Sequence, residues 1–302
     1  MEITKDFDVI IIGGSYAGLS SAMALGRALR STLVIDSGNP CNIKAPHSHN
    51  FITQDGNKPS DIALLARQQV EQYPSVKFLN ETAVDISGSN NHFRVTDGNG
   101  SVHKARKIIL ATGIKDIMPA ISGFEACWGI SIIHCPYCHG YEVKHEATGI
   151  LATGDMAFEM ARMVFNWTTN LVLFTNGKST LTEEQTAKIN SHNIPIEERP
   201  ISELLHSDGH IHTVQLNDGT AIKLNVLYAR PQFAHHTHIA EKLGCALNEQ
   251  GYLGVDAFQK TSVAGVFACG DATTPLRAVA NAVASGSLAG VMANREIIEE
   301  DF

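Results

Sequence analysis

The residues best suited to chemistry are His134-Cys135-Pro136-Tyr137-Cys138-His139-Gly140. Two cysteines separated by two residues can close a small disulfide ring. They can also hold a thiolate, which exposed N–H groups at a helix start favour. Pro136 suits a first helical turn, where its missing N–H is not needed. A histidine on each side offers a proton acceptor near neutral pH. By themselves these residues fit four readings: a dithiol/disulfide redox centre, zinc ligation, haem attachment through the C-x-x-C-H form, or a pair of thiols without function. For zinc, His134 and His139 are poorly spaced to complete a tetrahedron with the cysteines.

The rest of the chain has to decide. Its 302 residues leave room for about two domains. A net charge of −8 and the lack of any basic run argue against nucleic acid as a partner. No stretch reaches the roughly 18 uninterrupted apolar residues of a membrane span. Val9 to Leu25 is apolar, but it follows Asp6 and Asp8 rather than the basic start of a secretory signal, so the expectation is a cytoplasmic protein. Haem attachment would need export and is disfavoured on the same ground. Six cysteines are too few for a disulfide scaffold in a chain of this length.

Asp8-Val9-Ile10-Ile11-Ile12 is the continuous β-branched run of a buried parallel strand. Gly13-Gly14-Ser15-Tyr16-Ala17-Gly18 follows, Leu19 to Leu29 has helical spacing, and a second strand over 31–35 ends at Asp36. A glycine turn between strand and helix, with an acid 18 residues after Gly18, is a dinucleotide fingerprint. The turn lets the backbone approach a pyrophosphate, and Asp36 can accept from ribose hydroxyls. Ser15 replaces the middle glycine of G-x-G-x-x-G, and its hydroxyl can donate to a phosphate. Residues 37–57 form a polar loop long enough to suggest function. A helix over 59–72 and short strands near 76–79, 92–96 and 102–105 come next. Both 107–113 and 265–271 read as an apolar strand entering a small-residue turn, and a helical pattern runs from Arg277 to Glu300. The two terminal portions therefore read as one nucleotide-binding domain around an inserted central part. That part carries the dithiol stretch, then a second strand-turn-helix-strand pattern: a strand entering Ala152-x-Gly154-x-x-Ala157, a helix over 160–167 and a strand over 170–174. Further strands are expected over 211–216 and 221–228.

Four landmarks, in this order and at these spacings, carry a resemblance: Gly13–Gly18, Ala111-Thr112-Gly113, Cys135-x-x-Cys138, and Gly270-Asp271 ahead of the helix at Arg277. Together they resemble the low-molecular-weight thioredoxin reductases and their relatives among the FAD-dependent pyridine-nucleotide disulfide oxidoreductases. The resemblance implies an α/β fold of two Rossmann-like three-layer nucleotide-binding domains. The FAD domain would be discontinuous, residues 1–116 and 240–302, with a central NAD(P)-binding-like domain, 117–239, inserted in it. It also implies a homodimer, with Cys138 facing the flavin, Cys135 exchanging with substrate and Asp271 holding the ribityl chain. Expected FAD contacts are Gly13, Ser15, Ala17, Gly18, Asp36, Ser37, Asn50, Val84, Ala111, Thr112, Gly113, Gly270, Asp271, Ala278 and Val279.

Two departures from the reductase pattern are informative. The central turn has lost its first glycine, to Ala152, and the strand ending at Thr175 is followed by Asn176-Gly177-Lys178. The reductases place a histidine and arginines there for the 2′-phosphate of NADPH, and an NADH enzyme would place an acid. Lys178 lacks the bidentate geometry of arginine. The second departure is His139, where the reductases have an acid. The C-x-x-C-H form resembles the flavin-dependent dithiol oxidases that close disulfides in gliotoxin- and holomycin-type metabolites, and a histidine suits deprotonation of an attacking thiol.

Other residues receive plainer readings. His134 reads as a polar strand end. His235, His236 and His238 read as solvated in a return loop, and no metal is expected. Cys41, Cys127, Cys245 and Cys269 read as unpaired packing thiols, and Arg230-Pro231 as a boundary feature. The leading expectation is an FAD-dependent oxidoreductase in which Cys135, Cys138 and His139 act on a small dithiol or a thioredoxin-like protein without efficient use of NADPH. The runner-up is an NADPH-dependent thioredoxin reductase, and the third reading is a non-catalytic flavin redox sensor.

Overall fold

The computed structural model describes residues 6–302. The chain divides into two compact units: residues up to Ile43 with Asn50–Lys115 and Ala234–Phe302, and Lys44–His49 with Asp116–Phe233.

The first unit opens with β1 (Asp6–Ile12), α1 (Tyr16–Arg27), β2 (Thr32–Ile35), α2 (Pro59–Val70), β3 (Val76–Leu79), β4 (Ala83–Ser87), β5 (Phe93–Asp97) and β6 (Val102–Leu110). The chain leaves it through β7 (Ile114–Ile117). The second unit follows with α3 (Phe124–Cys127), β8 (Ile132–Ile133), α4 (Pro136–His139), β9 (Thr148–Leu151), α5 (Gly154–Val164), β10 (Leu171–Phe174), α6 (Glu183–Ser191) and β11 (Ile196–Glu197). It ends with β12 (Ile201–Ser207), β13 (His210–Leu216), β14 (Ala221–Lys223) and β15 (Val226–Ala229). After the return strand β16 (Gln232–His235) come α7 (Ile239–Lys242), β17 (Val266–Ala268), a 3₁₀ turn at Gly270–Ala272 and α8 (Val279–Asp301).

In the first unit β3, β2, β1, β6 and β17 form a parallel sheet. Besides β1, the nine residues of β6 serve two further partners: its first half pairs antiparallel with β5, its last three residues parallel with β17. β1 is buried along most of its length, as a strand covered on both faces requires. α1 packs closely on α8. Gly286 makes this possible, since a Cβ there would overlap the Ala17 backbone, and the Ser21 hydroxyl donates to the Gly286 carbonyl at 2.7 Å.

In the second unit β11, β10, β9, β15 and β8 form a parallel sheet, and β12, β13 and β14 a separate antiparallel one. Both units are thus Rossmann-like, the first discontinuous around the second. The β9–α5–β10 segment is the second strand-turn-helix-strand pattern, with the helix beginning at Gly154 rather than at residue 160. Other boundaries also move. α1 starts at Tyr16 and ends at Arg27, short of Leu29, whose φ is 62°. The strand expected over 221–228 is two strands, because Leu224 and Asn225 turn away and the Asn225 N–H bonds the Ala147 carbonyl at 2.8 Å.

No helix among the described residues is long and apolar enough to cross a membrane.

Candidate active site

The dithiol turn follows β8 directly. Cys135 is extended (φ −121°, ψ 110°) and precedes α4, whose first residue is Pro136. Cys135 and Cys138 are joined as a disulfide, with their Cα atoms 5.3 Å apart. The Cys135 carbonyl accepts from the N–H groups of Cys138 and His139, each at 3.2 Å. Gly140 ends the turn, and a Cβ there would overlap the Pro136 carbonyl and press on Trp167. The edge of Tyr137 meets Trp167, ring centroids 5.4 Å apart, while most of its side chain faces solvent. α4 is a single turn, so it lacks the aligned peptide dipoles of a longer helix. The helix-dipole argument for a thiolate weakens accordingly, and local N–H groups remain.

His139 is half-buried on α4. Burial first, then nearness to His49, holds its imidazole below the ordinary 6.5, with the Glu142 carboxylate opposing. The ring is therefore neutral near pH 7 and able to accept a proton. His49 Nε2 lies 3.6 Å from Glu142 Oε1. Sequence reasoning missed His49 and Glu142. The one available signal was His47-x-His49 in a loop too long for a plain connector. His134 stands near Trp128, ring centroids 6.1 Å apart.

The expected flavin contacts lie in the first unit. Gly13 has φ +103°, and a Cβ there would overlap the Ala111 carbonyl, so only glycine fits the turn against the end of β6. Gly18 lies equally close to the Gly13 carbonyl. Ser15 precedes α1 without a side-chain cap, and the first turn holds no acid, which leaves Ala17 and Gly18 at a helix start suited to an anion. Asp36 packs against Gly14, where a Cβ would come within 2.8 Å of its side chain, and Ser37 beside it is exposed. Thr112 and Gly113 follow β6, and Gly113 has φ +62° with open space where a Cβ would point. Gly270 donates its N–H to Ser285 Oγ at 3.1 Å. Asp271 lies 3.8 Å from Arg277 Nε and accepts from the Cys41 thiol at 3.5 Å. Ala278 is the extended residue before α8, and Val279 opens that helix. Asn50 has φ 58° and donates its N–H to Asp55 at 2.8 Å, while Val84 is exposed on β4. N–H donors at the helix start, room at Gly113 and an accepting carboxylate at Asp36 are what a dinucleotide needs, so these residues fit the group.

The second nucleotide-type fold is arranged differently. In the loop after β10, Asn176 accepts from the Ile201 N–H at 2.7 Å and Glu198 accepts from the Ser179 N–H at 2.8 Å. The Thr180 hydroxyl bonds that of Thr153, in the turn before α5, at 2.8 Å. Arg199, the arginine beside this loop, is held by Glu197 at 2.8 Å and Asp218 at 2.8 Å. Lys178 is exposed.

Three plain readings need correction. His235 bonds the Gly251 carbonyl at 2.9 Å and His236 the Ile114 carbonyl at 3.0 Å, so these two support the backbone around β16; His238 alone is solvated, beside Glu241. Cys41 is not a packing thiol: it is exposed and reaches Asp271. Cys127, Cys245 and Cys269 are buried, and burial pushes the Cys269 thiol up to about 12.

Comparison with known proteins gives the context. Residues 7–286 match the family described as pyridine nucleotide-disulphide oxidoreductase. The thioredoxin reductase tcpT of Claviceps purpurea is 33% identical over 313 residues, covering 99% of this chain and 97% of that protein. An oxidoreductase from Agrobacterium tumefaciens superposes with a TM-score of 0.92 at 39% identity, over 97% of this chain and 99% of that one. The crystal structure of HlmI superposes with a TM-score of 0.92 at 30% identity, over 99% and 95%. A match of this length, with such relatives along the whole chain, shows that the protein belongs to the pyridine nucleotide-disulphide oxidoreductases, enzymes of disulfide chemistry with a flavin cofactor.

Proposed function

We propose that the enzyme oxidises dithiols through Cys135–Cys138, with FAD as its flavin and without efficient use of NADPH. One observation carries the reading: where a 2′-phosphate would need cations, the second nucleotide fold offers Glu198 on the Ser179 N–H and an Arg199 already committed to Glu197 and Asp218. In this reading His139 takes the proton of a substrate thiol, and the thiolate attacks the Cys135 sulfur. The Cys135–Cys138 bond breaks, and Cys138 leaves as a thiolate. The second substrate thiol loses its proton and attacks the sulfur bound to Cys135, releasing a substrate disulfide. Two electrons thus enter the cysteine pair and two protons leave the substrate. A bound FAD supplies the two-electron acceptor that such a pair needs. Gly13, Ser15, Ala17, Gly18, Asp36, Ser37, Asn50, Val84, Ala111–Gly113, Gly270, Asp271, Ala278 and Val279 are the proposed FAD contacts. Residues 1–116 with 240–302, and 117–239, are the proposed domains. The proposal extends to a cytoplasmic homodimer acting on a small dithiol or a thioredoxin-like protein.

The names of the relatives favour a second reading, NADPH-dependent reduction of a thioredoxin-type disulfide. An anaerobic titration of the flavin-loaded enzyme separates the two. Dithiothreitol is expected to bleach the flavin and air to restore it, while equimolar NADPH leaves the spectrum unchanged within the mixing time. Immediate bleaching by NADPH overturns the oxidase reading.

A further inference from the structure

The dithiol turn leans on one side chain that the thiol chemistry above does not use. Trp167 lies just past the end of α5, and its half-buried indole meets the turn at two points. The Tyr137 and Trp167 rings meet edge to face, with centroids 5.4 Å apart and planes at 87°. At Gly140, where the turn ends, a Cβ would come within 3.0 Å of Trp167 Nε1 and 3.1 Å of its Cδ1. Glycine there lets the backbone lie against the indole. Trp167 is itself anchored from elsewhere. Its N–H donates to the Val164 carbonyl at 2.9 Å, and its carbonyl accepts from the His145 N–H at 3.0 Å. The next residue, Thr168, is buried, and its hydroxyl donates to the Glu146 carbonyl at 3.0 Å. All of these residues belong to the same unit. The indole is thus held by backbone after α5 and before β9, none of it part of the disulfide ring.

Resting on the redox role of Cys135 and Cys138, we propose that Trp167 is a positioning residue for the pair: it braces the turn in its disulfide-bonded shape and so favours the disulfide over the dithiol. Tyr137 lies inside the ring that the disulfide closes. Two thiols need more room than two bonded sulfurs, so reduction spreads the turn and carries Tyr137 with it. The indole, anchored outside the ring, does not follow. The edge-to-face contact is therefore better made in the oxidised state. An interaction better made in one state shifts the equilibrium towards that state by its difference in free energy. An aromatic pair of this geometry is worth about two- to tenfold in an equilibrium constant.

The test equilibrates the flavin-loaded enzyme, without oxygen, against mixtures of reduced and oxidised dithiothreitol. The reductant passes two electrons and two protons to the cysteine pair: the Cys135–Cys138 bond breaks, and dithiothreitol leaves as its cyclic disulfide. Acid quenching, alkylation and mass spectrometry of the peptide holding both cysteines read the dithiol fraction at each ratio. Trp167→Ala is expected to raise the equilibrium constant for reduction by about two- to tenfold. Tyr137→Ala, at a mostly exposed side chain, should shift it the same way. The double variant should go no further than Trp167→Ala alone, because a shared contact is lost only once. Trp167→Phe, which keeps a ring at the site, should retain most of the parent preference. If Trp167→Ala does not fold, Tyr137→Ala reads the same contact by itself. A side chain that merely fills space would lower the thermal midpoint on truncation and leave the constant where it was. A constant that stays fixed, falls, or shifts additively in the double variant overturns the proposal. The measurement needs no turnover. Flavin bleaching by NADPH would overturn the oxidase reading and leave this result intact, whereas a pair that dithiothreitol never opens would overturn the redox role of the cysteines and the brace with it.

Discussion

At the residue scale the proposed chemistry turns on His139. Its proton affinity is held down by burial and by His49, so the neutral, accepting form persists through neutral pH. For a base of this kind the rate should be flat around pH 7 and fall only as the pH drops through a value below 6.5. His139→Ala is expected to slow dithiol-driven flavin reduction by about 10²–10⁴-fold, the usual contribution of a positioned base. Stopped-flow traces matching those of the parent would remove the histidine from the mechanism. Cys135, Cys138 and His139 could be read from the sequence because all three lie in one short run. His49 could not, because its relation to Glu142 depends on contact across 93 residues of chain. Periodicity carries no information about a polar loop of this sort.

At the scale of elements, the glycines that set the closest approaches were only partly readable. Gly13 and Gly18 announced themselves through the fingerprint, since their spacing is the signal. Gly286 lies within a long helical pattern, and nothing in that pattern sets it apart. In the structure it is where α8 meets α1, and a Cβ would strike the Ala17 backbone. Gly286→Ala should therefore cost stability, by about 1–3 kcal/mol for an overpacked contact, despite the gain in helix propensity. It should also loosen the start of α1, where Ala17 and Gly18 sit. A lowered thermal midpoint together with faster loss of flavin on dilution would bear this out. An unchanged midpoint would mean that the two helices separate at little cost. The excursion of residues 44–49 into the second unit shows the limit of sequence reasoning on the other side. The length of the loop marks it as more than a connector, yet nothing local marks which unit it joins.

At the scale of the whole molecule, one chain contains two Rossmann-like folds with opposite treatment of their ligand ends. The first keeps its glycine turn, an acid-free helix start and an aspartate at the end of β2. The second uses its own side chains at the corresponding positions: Thr153 bonds Thr180, Glu198 caps Ser179, and Arg199 is shared by Glu197 and Asp218. Asn176-Gly177-Lys178 in the sequence carries the expectation of a missing phosphate grip, on which the proposed function rests. The acids are not legible there, because nothing in the short run at 196–197 marks β11 as the strand beside β10. A dinucleotide 2′-phosphate meeting two carboxylates instead of arginines loses two or three charge-assisted bonds, each worth roughly 1.5–3 kcal/mol. Calorimetry with adenosine 2′,5′-bisphosphate should therefore find no saturable binding to the parent enzyme up to about 1 mM, a range that corresponds to only about 4 kcal/mol of affinity. The double variant Glu197→Gln, Glu198→Gln releases Arg199 from one carboxylate and removes the repulsion at Ser179, and measurable binding should appear. Saturable micromolar binding by the parent would show that these acids do not close the site, and would move the enzyme towards the reductase reading.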